Sequence, residues 1–217
     1  MTSAGDLPRQ AFGGYAAIVA GTDLELLRAW REGAAIAGNE LVERYFSSVF
    51  RFFRGKVPLH ADELTQQTFL ACVEAKERFR DGSSFRAYLF GIARNKLIQH
   101  FERRGRSVHA SALSRVSIAD LSPSPSRLLA QDEERTRILA ALQELPVDHQ
   151  IVIELVYWEH MPLREVADVL EVAQGTVKSR LARARASLAK ALGPAFGPDL
   201  GARTQDLAHS LTRSHDA

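Results

Sequence analysis

Cysteine is nearly missing from this chain: Cys72 is the only one in 217 residues, so no internal disulfide can form and a reducing compartment fits best. Long apolar runs are missing too. No stretch approaches the roughly 18 consecutive apolar residues that a membrane-spanning helix needs. The opening Met1-Thr-Ser-Ala-Gly-Asp6 lacks the basic start and apolar run of a signal peptide. These gaps lead us to expect a cytoplasmic protein with no stable membrane insertion. The histidines, His60, His100, His109, His149, His160, His209 and His215, show no metal-ligand spacing, and Cys72 lacks a matching histidine motif. No glycine-rich loop of the phosphate-cradling kind occurs. An enzyme is therefore disfavoured, and no catalytic residue, metal or cofactor is expected.

What is present is charge in two patches. The formal net charge is only +2, but its distribution is uneven. Residues 86–106 hold Arg86, Arg94, Lys96, Arg103, Arg104 and Arg106 against one acid, Glu102. Residues 175–192 hold Lys178, Arg180, Arg183, Arg185 and Lys190 with no acid. Two basic faces suit two contacts on a polyanion, although solvated helix surfaces would look the same on charge alone.

Periodicity predicts an all-α fold, with no strand-period segment of useful length and no internal repeat. Thr22 is placed as an N-cap with Glu25 at the capping-box position. Leu41, Tyr45, Val49 and Phe53 recur every four residues along a helix running to about Lys56, and Pro58 interrupts it. Ala61 to about Arg80 reads as a further helix, with Leu64, Thr68, Phe69 and Val73 assigned to one face. Asp81-Gly82-Ser83 is a turn before a helix carrying Phe85, Tyr88, Leu89, Ile92 and Phe101; the aromatic residues Phe79, Phe85, Tyr88 and Phe90 suit a core better than a base platform. The serines and the prolines Pro123 and Pro125 mark 107–126 as a flexible linker. The expected organisation is thus a disordered 1–21, a helical domain at 22–106, the linker at 107–126, a second helical domain at 127–192 and a disordered tail at 193–217.

The second domain contains a short helix, Pro162-Leu-Arg-Glu-Val-Ala-Asp-Val-Leu170, a connection Glu171-Val-Ala-Gln174, and a longer helix from Gly175 to Leu192. That layout is a helix-turn-helix, whose second helix enters the major groove of DNA. At about 100° per residue, Val177, Leu181, Ala184, Leu188 and Leu192 share one arc. Lys178, Ser179, Ala182 and Arg183 face the other way, with Arg180 and Arg185 on the borders. Lysine and arginine match guanine acceptors, serine serves base or phosphate, and border arginines are placed for phosphates.

Two stretches now carry a family resemblance. The first is Ala61-Asp-Glu-Leu-Thr-Gln-Gln-Thr-Phe-Leu70 with Phe79-Arg-Asp-Gly-Ser-Ser-Phe-Arg-Ala-Tyr-Leu-Phe-Gly-Ile-Ala-Arg-Asn95. The second is Leu145-Pro146, Tyr157-Trp-Glu-His-Met-Pro-Leu-Arg-Glu-Val-Ala167 and Gly175-Thr-Val-Lys-Ser-Arg-Leu-Ala-Arg-Ala-Arg185. In this order, with this linker, the chain resembles the extracytoplasmic-function (group 4) sigma factors of the sigma-70 family over about residues 23–192. The resemblance implies a non-catalytic factor that binds RNA polymerase core, through its β′ clamp and β flap, and directs promoter recognition, melting and initiation. It implies a contact from Asp62, Glu63, Gln66, Gln67 and Phe69 to the clamp. For the −10 element it implies Arg80, Ser83, Ser84, Tyr88, Arg94, Asn95 and Lys96. For the −35 element it implies Thr176, Lys178, Ser179, Arg180, Arg183 and Arg185. It further implies promoter DNA and an anti-sigma factor as partners. The chain departs from the family at Gln67, Tyr88, Gln99, Glu102 and Glu171, where Glu, Trp, Asp, Arg and Gly are usual. The competing expectation is a helix-turn-helix regulator acting without polymerase, which would leave residues 61–106 without a role.

Overall fold

The computed structural model describes residues 21–79, 84–103, 113, 115–121, 133–193 and 200–213. The first helix begins where its capping chemistry is. The Thr22 hydroxyl accepts from the Glu25 amide while the Glu25 carboxylate accepts from the Thr22 amide at 2.7 Å, closing a capping box on α1 (Asp23–Arg31). The chain reverses at Gly33, whose φ of 101° glycine adopts without steric cost, and enters α2 (Ala35–Arg54). The two helices come close because Gly38 faces Trp30; a β-carbon there would lie 2.4 Å from Trp30 Nε1. Leu41, Val49 and Phe53 are buried as the four-residue spacing predicts, and the half-buried Tyr45 donates its hydroxyl proton to Asp23.

Pro58 opens a 3-10 turn, Pro58–His60, that redirects the chain into α3 (Ala61–Ala75). α3 packs on α2 and on α4 (Phe85–Arg103). Two buried threonines in α3 satisfy their hydroxyls internally, Thr65 on the Ala61 carbonyl and Thr68 on the Leu64 carbonyl, both at 2.7 Å. Val73 corrects the expected face: Leu64 and Thr68 are buried, but Val73 is exposed. Nine residues from Leu64 is about two and a half turns, which puts Val73 on the opposite side. Cys72 is buried, and burial pushes its thiol up to about 12, so it stays protonated and unreactive at neutral pH. Phe79, Phe85 and Phe90 are core residues, as expected; Tyr88 is half-buried and donates to the Ala75 carbonyl at 3.0 Å.

The second half comprises α5 (Ile118–Leu121), α6 (Glu133–Gln143), α7 (Val147–Tyr157), α8 (Leu163–Leu170), α9 (Gln174–Leu192) and α10 (Leu200–Arg213). Part of the stretch expected to be a loose linker is docked. Leu113 and Ile118 are buried, and the carbonyls of Leu113 and Val116 accept from the Asp148 and Val147 amides at 3.2 and 2.9 Å, supplying acceptors to the open first turn of α7. Residues 1–20, most of the expected disordered start, lie outside the described residues, as do 104–112 and 122–132 of the linker and its flanks.

The tail also departs from expectation. Gly193 caps the end of α9, yet a helix, α10, follows at 200–213 within the expected disordered tail, of which 194–199 and 214–217 lie outside the described residues. Thr204, Leu207 and Ala208, spaced by three and four, are buried, and the Gln205 amide donates to the Tyr157 carbonyl at 2.9 Å. α10 packs on α2, α6 and α7 and so touches both halves of the chain.

One apolar core runs through both halves. Phe53, Leu97 and Phe101 share it with Ile151, Leu155, Val166 and Val177. A smaller core of Ile138, Leu142, Ile153, Leu188 and Leu207 ties α6, α7, α9 and α10 together.

Candidate nucleic-acid interface

The helix-turn-helix forms as the sequence pattern requires. Pro162 is the extended N-cap of α8, a position where its missing amide proton is not needed. Val166, Val169 and Leu170 are buried on one side of α8. Glu171 ends the helix in the left-handed conformation, φ 55° and ψ 44°, and the Val172 amide closes the turn on the Ala167 carbonyl at 3.1 Å. A side chain there is strained where glycine would not be. Glu171→Gly is therefore expected to raise stability by about 0.5–1 kcal/mol, read from chemical denaturation; no gain would show that the strain is relieved elsewhere.

α9 presents the two expected faces. Val177, Ala184 and Leu188 are fully buried, with Leu181 and Leu192 partly so. Lys178, Ser179, Ala182, Arg183 and Arg185 are exposed, and Thr176 is half-buried. The Ser179 hydroxyl donates to the Thr176 carbonyl at 2.9 Å. The small alanines allow close approach of a duplex, with the basic side chains alongside. Arg180 differs from its neighbours: it turns inward, and its Nη1 lies 2.8 Å from Asp148 Oδ2. His149, next to that aspartate, is held below its usual range mainly by burial and then by Arg180 and Arg183.

The outer face of α3 is a mixed stripe. At about 100° per residue, Asp62, Gln66, Leu70 and Val73 fall within one quarter of the circumference, with Glu63 and Gln67 beside them. All but the half-buried Gln67 are exposed. Phe69 is half-buried and stacks on Phe46, ring centres 6.3 Å apart, so it belongs partly to its own core. Leu70 and the 90%-exposed Leu59 were not singled out from the sequence, and Val73 was assigned there to the opposite face; their signal was an apolar residue in register with the acids.

The −10 assignments divide. Arg80 and Ser83 lie outside the described residues. Ser84 accepts from the Ala87 amide at 3.3 Å at the head of α4. Ser84, Tyr88 and Asn95 line a cleft of about 360 Å³ with Arg78, whose far wall is Asp168 and Glu171 from the second half. Lys96 is half-buried. Arg94 is buried, and its Nη2 donates to Asp148 Oδ1 at 3.3 Å.

Charges between the two halves are sorted by sign, a feature that local sequence spacing did not reveal. Arg51 donates to Glu159 at 2.5 Å. Lys56 pairs with Glu154, both buried. Arg86 donates to the Glu159 carbonyl at 2.7 Å and to Glu165 at 3.1 Å. Every cation of these pairs comes from the first half and every carboxylate from the second. Burial, the larger influence on each, pushes Lys56 below its usual range and Glu154 above, while each charge pulls the other back. Among the described residues no group of three or more His, Cys, Asp or Glu side chains is placed to hold a metal ion, and no helix is long and apolar enough to cross a membrane.

A basic, small-residue recognition helix on a helix-turn-helix, joined to a second helical unit with an acidic stripe, defines a DNA-reading protein of two all-α units. Residues 41–107 match the Sigma-70 region 2 family and 135–188 the Sigma-70 region 4 family. The chain is 31% identical over 174 residues to the ECF RNA polymerase sigma factor SigM of Mycobacterium tuberculosis, covering 79% of this chain and 85% of SigM. It is 30% identical over 143 residues to the RNA polymerase sigma-H factor of Pseudomonas aeruginosa, covering 62% and 74%. Its fold is similar to the sigma factor RpoE of Bartonella quintana, solved with the anti-sigma factor NepR, at TM-score 0.56 and 25% identity, covering 71% and 95%. The chain belongs to the ECF group of the sigma-70 family of RNA polymerase sigma factors.

Proposed function

We propose that this chain, acting in the cytoplasm and catalysing nothing itself, joins RNA polymerase core and selects promoters through two separate readings of DNA. Residues 22–106 are the core- and −10-binding unit, and 127–192 the −35-binding unit. The outward face of α9 carries the reading: basic and hydroxyl side chains interleaved with alanines, exposed along one side of a helix whose other side is buried. Lys178, Ser179 and Arg183 read base edges, with Thr176, Arg180 and Arg185 directed at phosphates. The α3 stripe of Asp62, Glu63, Gln66, Gln67 and Leu70 docks on the polymerase clamp, its acids steering association. Ser84, Tyr88, Asn95 and Lys96, with Arg80, Ser83 and Arg94, hold the −10 strand by stacking and charge. An anti-sigma protein, the kind of partner NepR is for RpoE, is expected to compete for these surfaces.

Run-off transcription with purified core on genomic fragments tests the reading. Transcripts should start at discrete promoters only when the chain is added; tight duplex binding without any core-dependent start would favour a regulator that works alone. Within the recognition helix, Arg183→Ala is expected to cost about 1–3 kcal/mol and relax preference at one −35 position. Arg185→Ala is expected to weaken all sequences alike and lower the salt slope of binding by about one. Equal losses on cognate and scrambled −35 elements for Arg183→Ala would refute its base contact.

A further inference from the structure

α10 lies beyond both stretches that match the sigma-70 family, the second of which ends at residue 188, and it covers an apolar groove of the second unit. Ile138 and Leu142 of α6, Ile153 of α7, Trp158 and Leu188 of α9 form that groove, and Leu207 and Ala208 of α10 fill it. Without α10 these side chains would meet water over a contiguous apolar face, which is the mark of an interaction site. We propose that α10 is a built-in competitor: it occupies in cis a groove that a helix of RNA polymerase core takes in trans, so α10 must leave before core docks there. The inference rests on the reading of the chain as a core-binding factor, and adds to it a competitor carried by the chain's own C-terminal helix.

α10 is a modest match for its seat. Among its described side chains Thr204, Leu207 and Ala208 are buried, so one leucine, one alanine and one hydroxyl face five large apolar residues. The Thr204 hydroxyl turns back to its own helix, donating to the Gly201 carbonyl at 3.2 Å. Trp158 Nε1 is buried with no acceptor among the described residues. An amphipathic helix with larger apolar side chains and one acceptor would fill the groove better, and the helical form of α10 shows the shape the groove takes. What stays open identifies the occupant in trans. α9 turns Leu188 into the groove while Lys178, Ser179 and Arg183 remain exposed on its other side, so the groove can be filled while DNA is read. The protein that holds the factor on promoter DNA is polymerase core.

Gln205 Nε2 lies 3.0 Å from His160 Nε2 in the loop after α7, which gives a place to lock α10 down. In the full chain, His160→Cys with Gln205→Cys should be joined within one molecule by a bis-maleimide with a reducible spacer, Cys72 being buried and unreactive. Labelled chain is then titrated with purified core, and separately with a promoter duplex mapped by run-off transcription, before and after reduction. Locking should weaken core binding about tenfold or more, because apparent affinity scales with the fraction of chain whose groove is free, and reduction should restore it. Duplex binding should be the same in both forms. Leu207→Glu, without any cross-link, should bind core more tightly than the parent and the duplex equally well. Equal core binding by locked and reduced forms overturns the competition. So does loss of duplex binding in Leu207→Glu, which would make α10 part of the unit's own fold. A missing cross-link, or one formed between two molecules, overturns it as well, the latter giving the groove to α10 of a second copy. Core binding by no form, the parent included, instead rejects the reading of the chain as a core-binding factor, and the competitor with it.

Discussion

Lys56→Met is expected to destabilise the fold by about 3–5 kcal/mol, because it leaves the Glu154 carboxylate buried without its cation. At about 2–4 °C per kcal/mol for a chain of this size, the melting temperature should fall by about 10 °C. The side chains are close in volume, and Lys56 already lays its ammonium 3.9 Å from the Phe52 ring centre, so packing changes little and charge carries the effect. The pH dependence follows from the same group. Glu154 already sits above its usual range through burial; without Lys56 it rises further, and the folded form takes up a proton that the unfolded form releases. Stability of the variant should therefore be retained at low pH and lost as pH climbs above the unfolded carboxylate value, at about 1.4 kcal/mol per unit. Replacing both members, Lys56→Met with Glu154→Leu, should restore or exceed the starting stability. A single variant as stable as the parent across pH would mean that water already reaches the pair.

What was legible in the sequence was local. The capping box at Thr22 and Glu25, the two faces of α9 and the strained cap at Glu171 each depend on residues within about a turn or two, where periodicity and cap chemistry speak directly. The misplacement of Val73 shows the limit even there, since steps of four and one drift around a helix that repeats at 3.6. The pairing of charges between the two halves was not legible. Arg51 and Glu159 are 108 positions apart and Lys56 and Glu154 are 98 apart, and each looks like an ordinary surface charge in its own segment. Nor did the Gly193-Pro194 pair indicate in the sequence that a helix would follow, because Gly193 stops α9 without saying anything about 200–213. The exposed side chains of the candidate site were therefore readable in advance, while the burial of Arg94 against Asp148 emerged only from tertiary packing.

Leu70→Arg should be the most damaging single surface change for the proposed polymerase contact, weakening association with core by about 2 kcal/mol, near thirtyfold. Leu70 is 57% exposed in the middle of the α3 stripe, flanked along it by Gln66 and Val73, so nothing in the chain's own fold explains an apolar residue there. An exposed leucine alone would be unremarked, but one aligned with Asp62 and Glu63 forms an apolar centre with an acidic rim, the usual anatomy of a protein contact. Arginine removes the apolar centre and sets a positive charge against a partner that acids are placed to meet. Folding should be nearly unaffected, because exposed helix positions tolerate such changes within about 0.5 kcal/mol. Phe69→Ala provides the contrast: its ring stacks on Phe46, so its loss should lower the melting temperature as well as core affinity. Titrating labelled chain with core enzyme, alongside thermal melts, separates the two. Should Leu70→Arg bind core as tightly as the parent, the stripe is not the docking face, and the exposed apolar residues of α3 would need another partner.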